Sequence, residues 1–210
     1  GNLMNSAGIT NRIFSFANAI VGWLRGGLGH VNVIASVIFA GMSGAAVADA
    51  GGLGTIEIKA MRDAGYDGEV AVAITAASAT IGPIIPPSLP IVIYGVQANA
   101  SIARLFLAGI LPGILMAASL MILISWYAKV RNYPKGSSFS IVNLWKTFQG
   151  AFLSLLTPII IVGGILTGIF TPTEAAAAAS AYALFLGAVV YRTLNLKRLM
   201  KVTIDSIETA

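Results

Sequence analysis

The stretch GPIIPPSLP at residues 82–90 decides how this chain folds. Its four prolines cannot belong to a continuous helix, because each lacks an N–H group and restricts the residue before it. The stretch interrupts an uncharged run from Val70 to Ala103, which is too long for one spanning helix of about 20 residues. The run therefore predicts a broken helix, with one half from about Val70 to Ile81 and the other from about Ile91 to Gln97.

The composition is that of a membrane protein. Hydrophobic residues make up 57% of the 210 residues, charged residues 10%, and mean hydropathy is +0.85. A soluble domain carries about 25% charged residues, so a soluble enzyme or nucleic-acid binder is excluded despite the net charge of +5. With no cysteine and one histidine, the chain offers no thiol chemistry, metal cluster or catalytic triad, and we predict no enzyme. We expect the chain to be a segment of a larger membrane protein.

Three further uncharged runs have the length of spanning helices: Leu105–Tyr127, Ala151–Phe170 and Ala175–Tyr191. Between the first two lies a basic loop without acidic residues, which the positive-inside rule puts in the cytoplasm. Counting spans from that loop puts the other basic clusters on the same side, namely Lys59 with Arg62, and Arg192 with Lys197, Arg198 and Lys201.

The segment from Gly26 to Ile56 contains one full charge, Asp49. If Arg25 and Lys59 both face the cytoplasm, this segment is too short for two crossings of about 20 residues each. It therefore predicts a re-entrant hairpin, with its tip in GMSGAA at residues 41–46, where two glycines and a serine interrupt the apolar run. Residues 9–24, which have an apolar face formed by Ile13, Phe16, Ile20, Val21 and Leu24, predict an amphipathic arm helix at the membrane interface.

Two features of this region could carry function. An acid inside a membrane segment, here Asp49, is a functional candidate, although a helix cap or a partner for a basic residue would also explain it. The proline break exposes carbonyl oxygens without helical partners, and hard cations take oxygen ligands. A plain proline kink is the alternative for the break.

Hydroxyl groups flank the break, at Thr75, Ser78, Thr80 and Ser88. They could bind a substrate, or they could satisfy neighbouring backbone groups.

Farther along the chain, Glu174 follows a threonine and a proline, which predicts the start of a helix.

Several motifs together resemble the large membrane subunit of TRAP (tripartite ATP-independent periplasmic) transporters, the DctM-like permeases. They are GMSGAAVAD at 41–49, GT at 54–55 and IGPIIPPS at 81–88, accompanied by NSAGI at 5–9 and GIFTPTEA at 168–175. The resemblance covers essentially the whole chain. It implies an all-α membrane protein built as one part of an inverted-repeat elevator transporter, with the hairpin and the broken helix belonging to the first repeat.

The resemblance also implies a function. Such permeases lie in the bacterial inner membrane and import organic acids, such as C4-dicarboxylates or sialic-acid-like carboxylates, with a Na⁺ gradient. A periplasmic binding protein delivers the substrate, and a small membrane subunit completes the permease. No cofactor is implied beyond Na⁺ as the coupling ion. The implied Na⁺ ligands are Ser43, Asp49, Gly82, Ile85 and Pro87, and the implied substrate contacts are Ser43, Gly44, Thr80 and Ser88.

These expectations divide the chain into six parts: the end of a span with the arm helix (1–24), the transport-domain hairpin and broken helix (25–104), a transmembrane helix (105–128), a cytoplasmic basic loop (129–147), two transmembrane helices (148–192) and an amphipathic cytoplasmic segment (193–210).

Two other classes of membrane protein stay open as alternatives. One is an ion-coupled carboxylate carrier of the same superfamily that works without a binding protein, and the other is a channel or structural membrane subunit.

Overall fold

The structure, a computed structural model, describes residues 2–136, 138–195, 199–200 and 202–204. In these ranges the named elements are helices: α1 (Asn2–Ser6), α2 (Ile9–Val21), α3 (Gly27–Ser43), α4 (Ala46–Asp63), α5 (Gly68–Ala79), α6 (Leu89–Gln97), α7 (Ile102–Val130), α8 (Ile141–Leu166) and α9 (Pro172–Phe185), which continues as a π-helical turn (Leu186–Val190). The predicted all-α class is confirmed. Most of the predicted segment 193–210, including Lys197, Arg198 and Lys201, lies outside the described residues.

Three of the described helices are long and apolar enough to cross a membrane: Ile102–Val130, Ile141–Leu166 and Pro172–Val190. Each begins earlier than its predicted span; α7 contains its span, whereas α8 ends at Leu166 rather than Phe170 and the third helix ends at Val190 rather than Tyr191. The largest difference is at α8, which begins at Ile141, so its first turns lie inside the predicted basic loop of residues 129–147. The reason is that an uncharged run shows only the apolar part of a helix, whereas the first residue of the helix is set by the N-cap residue before it. Here the Ser140 hydroxyl accepts from the Asn143 N–H at 3.4 Å.

The predicted hairpin forms, with its turn between Ser43 and Ala46. Gly44 closes α3 with a φ of +63°, a left-handed conformation that a residue with a Cβ atom rarely adopts. The two arms, α3 and α4, pack against each other. That the hairpin enters the membrane without crossing it stays a prediction.

The helix break also forms. Residues 80–88 separate α5 from α6, and α6 begins where the Ser88 hydroxyl accepts a hydrogen bond from the Ile91 N–H at 3.3 Å. Pro90 lies in the first turn of α6, where its missing N–H costs no helical bond. Proline therefore both prevents a continuous helix and permits the second half to start.

The arm helix differs in detail from its prediction. It ends at Val21, so Leu24 lies beyond it. Its fully buried apolar face is formed by Ile9, Ile13 and Ala17, while Phe16 is only half-buried. The difference arises because α2 packs against both α3 and α8, so its buried face is set by those two contacts rather than by a membrane interface alone.

The centre of the fold is α3, which packs against α2, α4, α5, α7 and α8. The largest cluster of buried apolar side chains surrounds it and includes Val31, Phe39 and Met42 of α3 together with residues of α1, α2, α8 and α9. Because α3 ends at the hairpin tip, this packing fixes where the tip lies.

Both ends of the hairpin lie beside the basic loop that follows α7. The Gly26 N–H donates to the Pro134 carbonyl at 3.1 Å. Past the other end, Asp67 accepts from Tyr133 Oη at 2.8 Å and forms an ion pair with Arg131 at 3.2 Å. The two ends of the hairpin and the basic loop are thus at one end of the molecule, as the span count predicts.

Single cysteines can test which side this end faces. In a cysteine-free full-length protein, we expect Trp23→Cys and Asp63→Cys to be labelled only after the membrane is made permeable, because both exposed side chains would face the cytoplasm. Ala98→Cys, in the exposed turn between α6 and α7, is the control and should react with an impermeant reagent in intact cells. Labelling of Trp23→Cys or Asp63→Cys in intact cells would rule out the predicted orientation of the hairpin. Gly26 is unsuitable for this purpose, because a Cβ there would lie 2.5 Å from the Ala128 Cβ.

Candidate functional site

The hairpin tip and the helix break are in direct contact. The Leu89 N–H donates to the Gly44 carbonyl at 3.4 Å. A Cβ on Gly44 would collide with the Pro87 carbonyl oxygen, and one on Gly82 would come within 3.4 Å of the Ala45 carbonyl carbon. The structure therefore brings together two segments that are about 40 residues apart in sequence, both of which carry predicted Na⁺ ligands.

Each of the five predicted ligands has an oxygen without a hydrogen-bond donor among the described residues. Ser43 Oγ and both carboxylate oxygens of Asp49 are buried and unpartnered. The carbonyls of Gly82, Ile85 and Pro87 likewise accept no hydrogen bond from described groups. Buried polar atoms are normally paired, and leaving one unpaired costs about 1–3 kcal/mol. Oxygens of this kind are suitable ligands for a hard cation.

Within the described residues, the structure supports neither structural alternative for Asp49. It lies in the first turn of α4, yet its side chain makes no capping hydrogen bond. No basic side chain pairs with it within the described residues, where the ion pair is that between Arg131 and Asp67. Among the residues that the structure describes, Asp49 is therefore a buried acid with neither a capping role nor a counter-charge.

Four helix ends surround the contact between tip and break. The carbonyl ends of α3 and α5, at Ser43 and Ala79, carry partial negative charge, and the amide ends of α4 and α6, at Ala46 and Leu89, carry partial positive charge. Where helix ends of opposite polarity meet, the carbonyl ends can bind a cation and the amide ends can bind an anionic group next to it.

A cavity of about 420 Å³ adjoins this site. Ser43 and Pro87 form part of its wall, and side chains of α8 and α9, among them Ile161 and Thr173, form the opposite side. The predicted substrate residue Ser43 thus lines an open space next to the unpaired oxygens.

The other predicted substrate residues are placed differently. Gly44 is at the tip, but Thr80 is exposed, outside the cavity wall, and its hydroxyl donates to the Ala77 carbonyl at 2.6 Å. The Ser88 hydroxyl donates to the Pro83 carbonyl and caps α6. Because both hydroxyls already have local partners, their roles in substrate binding stay predictions without structural support.

Thr75 and Ser78 belong to a buried polar network that the sequence analysis did not predict. Asn32 Nδ2 donates to Glu57 Oε2 at 2.7 Å and to Thr75 Oγ1 at 2.8 Å. Asn32 Oδ1 accepts from the Ser78 hydroxyl, and Ser36 Oγ lies 3.3 Å from Ser78 Oγ. The hydroxyls of Thr75 and Ser78 therefore join α5 to α3, and Asn32 joins both to Glu57 of α4. Glu57 was not singled out in the sequence because it lies next to the basic residues that follow the uncharged segment. The signal that could have found it is its distance of eight residues from Asp49, which puts both acids on one face of a helix.

Glu174 has the structural role that its sequence predicts. Its backbone N–H donates to Thr171 Oγ1 at 3.3 Å, and its carboxylate accepts from the Thr171 N–H at 2.8 Å, which is a complete capping box at the start of α9.

Two glycines of α7 hold the break in place. A Cβ on Gly109 would lie 2.5 Å from the Ile84 carbonyl oxygen, and one on Gly113 would collide with the Ile85 side chain. The absence of side chains at these positions lets the break lie directly on α7.

We expect Gly109→Ala in the full-length protein to raise the Na⁺ concentration for half-maximal uptake several-fold, because the new methyl group must displace the Ile84 carbonyl and with it the neighbouring Ile85. The matched control is Gly163→Ala on α8, where a Cβ would meet no atom within 4 Å. Equal effects of the two variants on Na⁺ dependence would show that contact with α7 does not position the break.

These features define a multi-pass helical membrane protein with a helical hairpin packed on a broken helix. The chain belongs to the family of the tripartite ATP-independent periplasmic transporter, DctM component, which matches residues 1–210. The resemblance inferred from the motifs is thereby confirmed.

Three relatives illustrate the similarity. The sialic acid TRAP transporter large permease protein SiaM of Vibrio cholerae is 56% identical over 209 residues, which are 100% of this chain and 49% of the relative. The sialic acid TRAP transporter permease protein SiaT of Haemophilus influenzae is 51% identical over 99% of this chain and 34% of its own length. The C4-dicarboxylate TRAP transporter large permease protein DctM of Pseudomonas aeruginosa is 38% identical over 98% and 48%. The chain thus spans at most about half the length of these curated relatives.

Proposed function

We propose that this chain forms the hairpin and broken-helix part of the large permease subunit of a Na⁺-coupled secondary transporter that imports organic acids. The observation that supports the proposal is that Ser43, Asp49, Gly82, Ile85 and Pro87, which belong to two segments in contact at the hairpin tip and the break, each have an oxygen without a donor among the described residues. Asp49 supplies the negative charge that a bound Na⁺ compensates, and the carbonyls supply neutral ligands, as hard cations require.

The substrate is proposed to be a carboxylate bound in the adjoining cavity. The amide ends of α4 and α6 and a bound Na⁺ are all attractive to an anion there, so Na⁺ binding would favour substrate binding. The relatives described above are named for sialic acid and C4-dicarboxylates. A sialic-acid-like sugar acid is the first candidate, because the two relatives of higher identity among them carry that name.

The whole transporter is proposed to follow the family plan. A periplasmic binding protein delivers the substrate, a small membrane subunit completes the permease, and the assembly lies in the bacterial inner membrane. The hairpin and broken helix, as the first of two inverted repeats, move together with ion and substrate in an elevator motion. The tight contact between tip and break supports movement as one unit.

Reconstituted transport tests this function. The full-length subunit, with its small subunit and binding protein in proteoliposomes, should accumulate sialic acid when Na⁺ is high outside, and removal of either the Na⁺ gradient or the binding protein should stop uptake. Competition by excess C4-dicarboxylate distinguishes the two substrate groups. Uptake that persists without the binding protein would favour a binding-protein-independent carrier, and currents without substrate would favour a channel.

A further inference from the structure

Glu57 is a second enclosed acid, distinct from the proposed Na⁺ ligands. Its side chain is 1% exposed, and it faces Asn32 of α3 and Thr75 of α5. One carboxyl oxygen, Oε2, accepts from Asn32 Nδ2 at 2.7 Å, while Oε1 is buried without a partner among the described residues. Because the surrounding helices already enclose this carboxyl group, segments outside the chain cannot reach it directly.

No described basic side chain neutralises Glu57. The charged or titratable groups on the helices packed against α4 contact other residues or solvent instead of Glu57. On α2, Arg12 donates to the Gly150 carbonyl at 3.1 Å. On α3, His30 Nε2 lies 3.3 Å from Ser125 Oγ of α7, and on α5 the Glu69 side chain is exposed. On α4 itself, Lys59, Arg62 and Asp63 are exposed, whereas Asp49 lies on the same buried face as Glu57. A buried carboxylate without a counter-charge is costly unless it takes up a cation.

The cation that fits this place is a proton. The group nearest to Glu57 is the Asn32 amide, which presents N–H donors, and Asn32 Oδ1 is occupied by Ser78. A metal ion needs about six oxygen ligands, but Oε1 is the one oxygen of the Glu57 carboxyl group left without a partner among the described residues. A single proton on the carboxyl group removes the charge and needs no coordination shell.

We propose that Glu57 is an exchangeable proton-binding site whose occupancy modulates Na⁺ binding at the hairpin tip. The modulation rests on the proposed function, whereas the proton site itself rests only on the surroundings of Glu57. Asp49, Leu53 and Glu57 follow each other at intervals of four on the buried face of α4. Their spacing gives about 12 Å between the Cα atoms of the two acids, and Coulomb's law at an effective dielectric constant of about 20 gives a coupling of about tenfold in affinity.

The sign of the coupling follows from charge. A proton on Glu57 removes a negative charge near the proposed Na⁺ site and weakens Na⁺ binding. As the pH rises, Glu57 loses its proton, and the added negative charge strengthens Na⁺ binding. Na⁺ binding at Asp49 in turn favours release of the proton from Glu57, because linkage is reciprocal.

The test is Na⁺ titration of the purified full-length subunit by calorimetry at mildly acidic and mildly alkaline pH. In the wild type we expect the Kd for Na⁺ to fall by up to about tenfold as the pH rises. Glu57→Gln mimics the protonated acid, so its Kd should stay near the acidic wild-type value at both pH values. The control Glu69→Gln, at the exposed glutamate of α5, should keep the wild-type response. A Kd for Na⁺ that does not change with pH in the wild type would overturn the proposal. An unchanged pH response in Glu57→Gln would also overturn it, because the proton would then be assigned to Asp49 or His30.

Infrared spectroscopy tests the proton site without relying on Na⁺ binding or on Glu57→Gln being folded. The full-length protein should show the carbonyl band of a buried protonated carboxylic acid that fades as the pH rises, persists in Asp49→Asn and shifts in frequency in the conservative variant Glu57→Asp. Absence of such a band, or its loss in Asp49→Asn, contradicts a proton on Glu57. If the wild type binds no Na⁺ while the band persists in Asp49→Asn and shifts in Glu57→Asp, the proposed ion coupling fails and the proton site on Glu57 is supported; a band unchanged in Glu57→Asp contradicts it.

Discussion

The full-length subunit carrying both Pro86→Ala and Pro87→Ala should insert and fold but lose Na⁺-driven uptake. Each substitution restores a backbone N–H and removes a helix penalty of roughly 3 kcal/mol. In a helical turn the N–H of residue 86 would bond to the Gly82 carbonyl, four residues earlier, and that of residue 87 would bond to the Pro83 carbonyl. The Gly82 carbonyl would then be withdrawn from the proposed Na⁺ site. We expect the Kd for Na⁺, measured by calorimetry, to rise by at least about tenfold, equivalent to about 1.4 kcal/mol.

The matched control is Pro112→Ala in α7. Pro112 is also a proline in an apolar stretch, but α7 continues through it and its side chain is exposed. We expect its Na⁺ dependence to remain close to that of the wild type. Normal transport by the double variant, or an equal shift in Pro112→Ala, would move the ion site away from the break.

Asp49→Asn should have the second-largest effect. The substitution keeps the size of the side chain but removes the one negative charge among the proposed ligands, and its amide would direct N–H donors towards a cation. We expect the Na⁺ concentration for half-maximal uptake in proteoliposomes to rise by about tenfold or more, corresponding to about 1.4 kcal/mol or more of lost binding free energy. Insertion should be unaffected, because an amide costs less than a carboxylate in an apolar environment.

Asp63→Asn is the control for this experiment, because it makes the same chemical change at the exposed end of the same helix. It should leave Na⁺ dependence unchanged. If Asp49→Asn behaves like Asp63→Asn, the buried carboxyl group has no part in ion binding.

The elements that were predictable from the sequence are those fixed by local chemistry. The turn at Gly44 needs a left-handed backbone, the break at 82–90 contains prolines that exclude a helix, and α9 starts at a capping box formed by Thr171 and Glu174. Each of these depends on residues within one or two turns of the chain. The start of α8 was not predicted, because hydropathy indicates which part of a helix has apolar surroundings and not where the helix begins. The helix begins directly after its N-cap residue, Ser140.

The parts of the site that escaped prediction depend on contacts between distant segments. Neither Asn32 nor Glu57 belongs to a recognisable motif, and their pairing exists only because α3 packs against both α4 and α5. The role of Gly109 similarly becomes visible only when the Ile84 carbonyl lies against it. The residues of the proposed Na⁺ site were identified through family resemblance, and the structure adds that their free oxygens lie on two segments in contact.

The most direct test of the central claim is a high-resolution experimental structure of the full-length subunit determined with Na⁺ and again with Na⁺ replaced by a large organic cation. With Na⁺, we predict density for one ion between the hairpin tip and the break, coordinated by Ser43, Asp49, Gly82, Ile85 and Pro87, and loss of that density after replacement. An ion bound elsewhere, with these oxygens hydrogen-bonded to other groups in both structures, would contradict the account.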